Sequence, residues 1–592
     1  MQRRHPDINR DLIVLQITGH LFFLGLAVLS VFFWKERQAF DAAHYLFEIT
    51  DRKFFFIAHH RPAGIVSQIL PVIGTWLKFP LSVIAILYSI GDILWYYLIF
   101  LFLAYNLKTR RGVVALLLML SLTVRYSFYC PVTELLQAGA LLPVWMSLLD
   151  RSFRFRYPVL LLMGTFIIFS HPLLFYPLFF ALFWWSLQDT RPGLYEITGR
   201  RRFTWILFGS LVLIAGLKML VLDRYDHDKT FYPVVYNDYG YLKTFTPAVW
   251  WHHVTVIAGG YPFLSVIVLA ALIILAWFRR WKMFGYILLS VSAYILLMSL
   301  THRFDRLSNY FERMLLPIPM MVALLAGSMI TITRSFISRL IGFVGLFLIL
   351  LMHFDLLRMT ADPYTARVLL LENLCDAAES QHIRKAIVSE DLLEQNDYAM
   401  TGWCYPIETL ILSSYKGKDH SVSIALQKEH IDKNKQKGCV QTPADWIKWA
   451  ELNPSVTSLN KNYFSLPVGD YQPLLSTDTS FHVPVRLQLE TCTPFKPDRL
   501  LLQVRIETDK NILFPANGMT AIELQDEKGE SLYRTVLPYA FKSNGSWNFA
   551  ITPASLPDGT LKLSLVQNDR TLSTLPLRKE GGLITEERQN KP

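Results

Sequence analysis

The chain has 592 residues, 52% of them hydrophobic and only 18% charged, with a mean hydropathy of +0.30 and a formal net charge of +11. A soluble protein carries about a quarter charged residues, and here the apolar residues crowd into the first ~360 positions in runs of membrane-spanning length. That excludes a soluble enzyme, a disordered chain and a coiled coil, and leaves an α-helical polytopic membrane protein with a polar tail.

The first run, Ile13 to Phe33, follows Arg3, Arg4 and Arg10 and leads into Trp34-Lys35-Glu36-Arg37. It is longer than a signal peptide's apolar region and has no small-residue cleavage site, which predicts an uncleaved helix. Further runs lie near 81–106, 112–124, 135–149, 158–170, 173–187, 203–222, 261–278, 283–300, 314–332 and 338–357, for about eleven transmembrane helices. The short ones, such as 112–124 and 158–170, predict tilted, broken or shielded helices.

Loop charge sets an orientation. With the N-terminus in the cytoplasm, alternate loops are short and basic: Lys108 to Arg111, Arg151 to Arg156, Arg200 to Arg202, Arg279 to Lys282, and Arg334 to Arg339. The opposite loops (35–79, 125–134, 223–260 and 301–313) are longer and mixed in sign, and an odd helix count puts the tail from about 358 outside. The positive charge is therefore a topology signal, and no soluble basic stripe points to nucleic acid.

Three domains are expected: a multi-helix transmembrane domain over 1–358, an exterior mixed α/β domain over 359–475 and an exterior β-sandwich over 476–592. The second rests on an amphipathic stretch, Tyr364 to Ala378, and on short apolar runs at 386–388, 410–412 and 422–426. The third rests on strict alternation: Val483, Val485, Leu487, Leu489; then Leu502, Val504, Ile506; then Leu561, Leu563, Leu565. Glu527-Lys528-Gly529, Asn544-Gly545 and Asp558-Gly559 supply the turns. The five cysteines are too few for a scaffold and fit no zinc spacing. A Cys404–Cys439 disulfide and isolated buried thiols both remain open.

Ionisable groups beside the hydrocarbon are costly unless paired or solvated, so they are the first candidates for function. Here they gather in the outer loops. Asp41 precedes His44 and Tyr45; His59-His60-Arg61-Pro62 follows; Arg125 and Glu134 flank the second loop; His171 precedes Pro172. Lys218 ends a helix before Asp223 to Asp228, and the last loop carries Arg303, Asp305 and Arg306, then Tyr310-Phe311-Glu312-Arg313 and Pro317.

That layout over residues 10–357 resembles the C-type (GT-C) glycosyltransferases, such as protein O-mannosyltransferases and aminoarabinose transferases, which take sugars from polyprenyl-phosphate carriers. Asp41, with Tyr45 one turn on, is similar to the family's first-loop acid, and Glu134 to its second. Tyr310 to Pro319 is similar to the aromatic-Arg-Leu-Pro stretch that opens a late helix, and His60-Arg61-Pro62 with the amphipathic 64–77 to its proline-bearing first loop. The resemblance implies an inverting membrane transferase whose partners are a lipid-linked sugar and membrane lipids, with envelope proteins met by the tail. Compactness and the expected sandwich domain favour a bacterial inner membrane with a periplasmic C-terminal domain as the setting. The sequence departs from the family in two ways. A paired acidic motif is not clear at Asp41, which leaves Glu48 and Asp51 as other candidate acids. Trp250-Trp251 is followed by His252 rather than Asp, against en bloc glycan transfer.

The chemistry needs a carboxylate to take the proton of an acceptor hydroxyl and fixed cations to meet the departing phosphate. Asp41 is the candidate base, with Glu134 orienting the acceptor or sharing a divalent cation with it; hard oxygen ligands suit Mg²⁺ or Mn²⁺. Arg61, His60, His171, Lys218, Arg303, Tyr310 and Arg313 are the candidate phosphate and substrate contacts. Structural roles stand beside these: Asp41 as a helix cap, Glu134 as a helix-dipole partner, Arg303, Arg306 and Arg313 as partners of Asp305 and Glu312, and Asp92 as a charge paired within the bundle. Two rival functions also follow. One is a non-catalytic GT-C-like scaffold or accessory subunit of an envelope complex. The other is a transporter, which calls for repeated halves and mid-membrane polar residues that are not found.

Overall fold

The computed structural model describes residues 6–188, 194–222, 247–301, 309–329, 336–389, 404–427, 446–447, 451–452, 459–474, 485–496, 499–508, 513–514, 520–536, 541–542, 545–551, 556–557, 559–567, 570–580 and 583–586. The chain is mostly helical at its N-terminal end and strand-bearing at its C-terminal end. Contacts divide it into two compact units: Met1–Gln38 with Glu48–Asp362, and Ala39–Phe47 with Pro363–Pro592. The C-terminal unit thus begins at Pro363 and includes a nine-residue piece of the first loop.

Five segments are long and apolar enough to cross a bilayer: Arg10–Phe32, Leu81–Asn106, Arg201–Leu220, Trp281–Leu300 and Leu340–Ser380, the last continuing past Asp362, where the membrane unit ends. The pair Pro247–Gly260 and Pro262–Trp277, bent by 105°, makes a sixth if taken as one span. Eleven spans are not reached among the described residues. Glu134–Leu149, Arg156–Ser170, Pro172–Leu187 and Pro317–Met329 are apolar helices of only 10–17 residues, where a span needs about 20. Proline punctuates them: Pro143 opens Leu142–Leu149 after Glu134–Gly139 has ended, and Pro172 and Pro317 start new helices at the polar turns before them.

Small residues allow two close crossings. A Cβ on Gly91 would come within 2.5 Å of the Ser67 carbonyl oxygen, and one on Gly327 within 2.5 Å of the Arg111 carbonyl oxygen. Only glycine permits those backbones to approach so nearly. The stretch expected to be amphipathic is the helix Ile65–Trp76, which leaves Ile69, Ile73 and Trp76 exposed. A short helix with such an apolar face suits the membrane–water boundary. Gln68 fastens the preceding loop to it by accepting the Phe56 N–H at 2.8 Å and donating to the Phe56 carbonyl at 2.7 Å.

The C-terminal unit contains two apolar cores. The first joins the parallel strands Ser423–Leu426, Lys385–Val388 and Gln472–Pro473, in that order, to the helix Tyr405–Ser414 and to residues 368–378 of the helix Asp362–Ser380. Leu410 to Leu412, read as a short apolar run, lies within the helix. The second core lies between an antiparallel five-stranded sheet and a three-stranded one. Their orders are Ser531–Val536, Thr520–Gln525, Gly559–Gln567, Arg570–Glu580, Leu583–Glu586, and Gly545–Ile551, Arg499–Thr508, Val485–Lys496. Val504, Ile506, Ile522, Leu563 and Leu577 meet there, the inward positions of the period-two pattern. Gly529, with φ of 84°, closes the 520–536 hairpin, where Asp526 Oδ1 accepts the Lys528 and Glu530 N–H groups at 2.9 and 2.8 Å. Asn544 and Asp558 lie outside the described residues. Cys130, Cys375 and Cys404 are buried thiols, and Cys439 is outside the described residues.

Candidate anion site in the membrane unit

Three loops of the membrane unit converge on His171. The helix Arg156–Ser170 ends on its apolar run, and Pro172 forces His171 into an extended conformation before the next turn. His171 Nδ1 accepts the Leu173 N–H at 3.2 Å, so the ring of a neutral imidazole carries its proton on Nε2. Burial first, then the positive charges of Arg61, Arg313, Lys218 and His59, push its pKa well below the ordinary histidine value. Near neutral pH His171 is therefore an uncharged donor among cations.

Each cation arrives for a local reason. Arg61 sits between two 3-10 turns, Ala58–His60 and Pro62–Gly64, after two left-handed residues, His59 at φ 54° and His60 at φ 52°. Its Nη1 lies 3.7 Å from Glu134 Oε2, with both side chains largely buried. Gly64 brings its backbone against the same carboxylate, since a Cβ there would lie 3.6 Å from Glu134 Cγ. Lys218, in the last turn of the helix Leu194–Leu220, is fully buried with its Nζ 5.5 Å from the centre of the Phe169 ring. Arg313, on the short helix Asn309–Leu315, donates from Nη2 to Cys130 Sγ at 2.7 Å. Buried charges at the ends of apolar helices are retained for function more often than for stability.

Among the sequence candidates, then, Arg61, Glu134, His171, Lys218 and Arg313 come together. His60 is exposed, and it is His59 whose charge reaches His171. Tyr310 is 56% exposed on the same helix as Arg313. Arg303, with Asp305, Arg306 and the acids at 223–228, lies outside the described residues. Asp41 opens the helix Asp41–Arg52 as part of the C-terminal unit, within electrostatic range of Cys404. Glu48, the alternative acid, pairs with Arg52 four residues on, and burial raises its pKa to about 7.

Among the described residues the donor set for Mg²⁺ or Mn²⁺ is not assembled. No group of three His, Cys, Asp or Glu residues suited to a metal occurs among the described residues, and the Glu134 carboxylate faces Arg61. Glu312, read as one possible partner of the loop arginines, takes the backbone N–H groups of residues 125–127; Arg303 and Arg306 lie outside the described residues. Arg37 is fully buried and bridges to Asp92 at 2.7 Å, which gives Asp92 its partner within the bundle. No local pattern marks Arg37, which ends an ordinary interfacial Trp-Lys-Glu-Arg run.

The chain matches no protein-family model, no curated protein and no solved structure.

Proposed function

We propose that the protein is an integral-membrane glycosyltransferase that moves a sugar from a polyprenyl-phosphate carrier to an acceptor hydroxyl. In this reading it works on the non-cytoplasmic face of a bacterial inner membrane, with the N-terminus in the cytoplasm and the C-terminal unit in the periplasm, where it can meet envelope partners. The observation that carries the reading is the gathering of Arg61, Lys218 and Arg313 around a half-buried, neutral His171, with Glu134 beside them. Cations shielded from water suit a phosphate anion, and a lipid phosphate is the anion that reaches such a place by way of the bilayer.

In the proposed step Glu134 takes the acceptor's proton, the freed oxygen attacks the anomeric carbon, and the bond from that carbon to the phosphate oxygen breaks with inversion. The phosphate leaves with the bonding electrons; the arginines, Lys218 and the His171 Nε2–H meet its charge. Activity of the full chain in proteoliposomes, with a polyprenyl-phosphate sugar as donor, tests this. Glu134→Gln and Lys218→Gln should each lower turnover at least ~100-fold, the scale on which single acid–base and electrostatic contacts act. Asp41→Asn, measured alongside, decides whether the first-loop acid also takes part. A cell in which Glu134→Gln leaves function intact, while loss of residues 363–592 abolishes it, would make the protein a scaffold and not an enzyme.

A further inference from the structure

Residues 125–130 form a 3-10 turn that runs into Glu134, and buried charges with no part in the proposed reaction hold it. Glu312, fully buried, accepts the Arg125 N–H at 3.0 and 3.1 Å, the Tyr126 N–H at 2.9 Å and the Ser127 N–H at 2.7 Å. Those N–H groups open the turn Tyr126–Tyr129, whose own N-cap residue, Arg125, offers no side-chain cap. From the opposite side Arg37 donates to the Phe128 carbonyl and lies 4.2 Å over the Phe128 ring, while anchored on Asp92 and Ser89.

A turn that needs only a cap obtains one from a neighbouring Ser, Asp or Asn. A carboxylate brought from 185 residues away does something else: it ties the turn to the short helix that carries Arg313. The tie closes on itself, because Arg313, the next residue, reaches Cys130 at the far end of the same turn at 2.7 Å.

We infer that Glu312 is a positioning residue: by gripping the 125–127 backbone it fixes Arg313 and the Cys130-to-Glu134 segment as one rigid piece of the anion site. This rests on the phosphate-binding reading above. Burial makes the Glu312 carboxyl harder to ionise, and hydrogen bonds from the Ser127 side chain and from the three backbone N–H groups work against that, so the grip and the charge depend on each other.

The test uses the full chain in detergent, with undecaprenyl phosphate as the probe, binding read by native mass spectrometry and backbone order by hydrogen exchange. Glu312→Gln should speed exchange at residues 125–130 at least ~10-fold while peptides elsewhere keep their rates, and should weaken probe binding ~10-fold. In the Arg313→Lys background the same change should cost almost nothing further, because the two residues act as a unit. Glu312→Asp, which keeps the charge with a shorter reach, should recover part of the loss and carries the comparison if the glutamine variant does not fold. Additive losses in the double variant, exchange rising across the whole membrane unit, or no local rise at 125–130 would each overturn the inference. Local release at 125–130 with no probe binding by the unaltered protein would sink the phosphate reading and leave the grip of Glu312 on the turn standing.

Discussion

The turn at 125–130 and the turn at 39–40 each precede a candidate carboxylate, and each is gripped by a buried acid from far along the chain. In the membrane unit Glu312 is held by the peptide N–H groups of residues 125–127, by Ser127 and by the Tyr261 hydroxyl at 3.4 Å. In the C-terminal unit Glu408 accepts the Phe40 N–H at 2.5 Å and is paired with Arg367, whose guanidinium lies 4.4 Å over the Phe40 ring and 4.6 Å over that of Tyr405. Phe40 sits at φ 55°, a left-handed conformation costly for a non-glycine residue, immediately before Asp41. One grip balances its charge with dipoles, the other with a second ion. The difference teaches what removal costs: taking away Glu312 empties a cap, whereas taking away Glu408 strands a cation.

The largest expected effect follows from that contrast. Glu408→Ala leaves Arg367 buried without its counter-ion and should destabilise the C-terminal unit by about 3–5 kcal/mol, while Glu312→Ala should cost the membrane unit only about 1–3 kcal/mol. Thermal unfolding of the detergent-solubilised chain, with hydrogen exchange to locate the loss, compares them. Equal costs would erase the distinction between the two grips.

A middle-sized effect comes from Glu48, in the helix Asp41–Arg52 that the two units divide. Its folded pKa is raised to about 7, chiefly by burial and against the pull of Arg52. A carboxyl with a raised folded pKa favours the folded state fully below its ordinary pKa of 4.5, and that benefit is lost as pH climbs through about 7. The melting temperature should therefore fall between pH 5 and 7, within that same window. Glu48→Gln should flatten the slope, by up to about 3 kcal/mol in free energy. A slope unchanged in that variant would assign the pH dependence to other groups.

The smallest effect serves as the control. Lys416 and Asp376 form an ion pair at 2.5 Å whose lysine side chain is 53% exposed, so Lys416→Ala should shift stability by no more than about 0.5 kcal/mol. A larger loss would mean that exposed pairs in this unit count as buried ones do, and the ranking of the two grips would lose its basis.

Much of the architecture was legible in the sequence because it depends on local periodicity. The apolar run from Ile13, the amphipathic stretch before Trp76 and the alternating strands at 485–508 and 559–567 all appear where the pattern puts them. The span count was less legible. Hydropathy sees apolar runs, but Pro143, Pro172 and Pro317 decide where a helix stops, and several runs end as helices too short to cross. In the site, Arg61, Glu134, His171, Lys218 and Arg313 were visible as ionisable residues at loop edges, whereas Arg37 and Glu312 looked like ordinary interfacial charges.

Sequence alone determined the class of this protein, since twenty-residue apolar runs have no other stable use than a bilayer or a deep core, and it named most of the charges that now surround His171. Only the tertiary structure decided which of those charges meet, because partners such as Glu312 and Ser127, or Glu408 and Phe40, lie 185 and 368 residues apart. No local pattern encodes such a pairing. It is set by where the helices end and by the requirement that a buried charge find a donor, an acceptor or an opposite charge within reach.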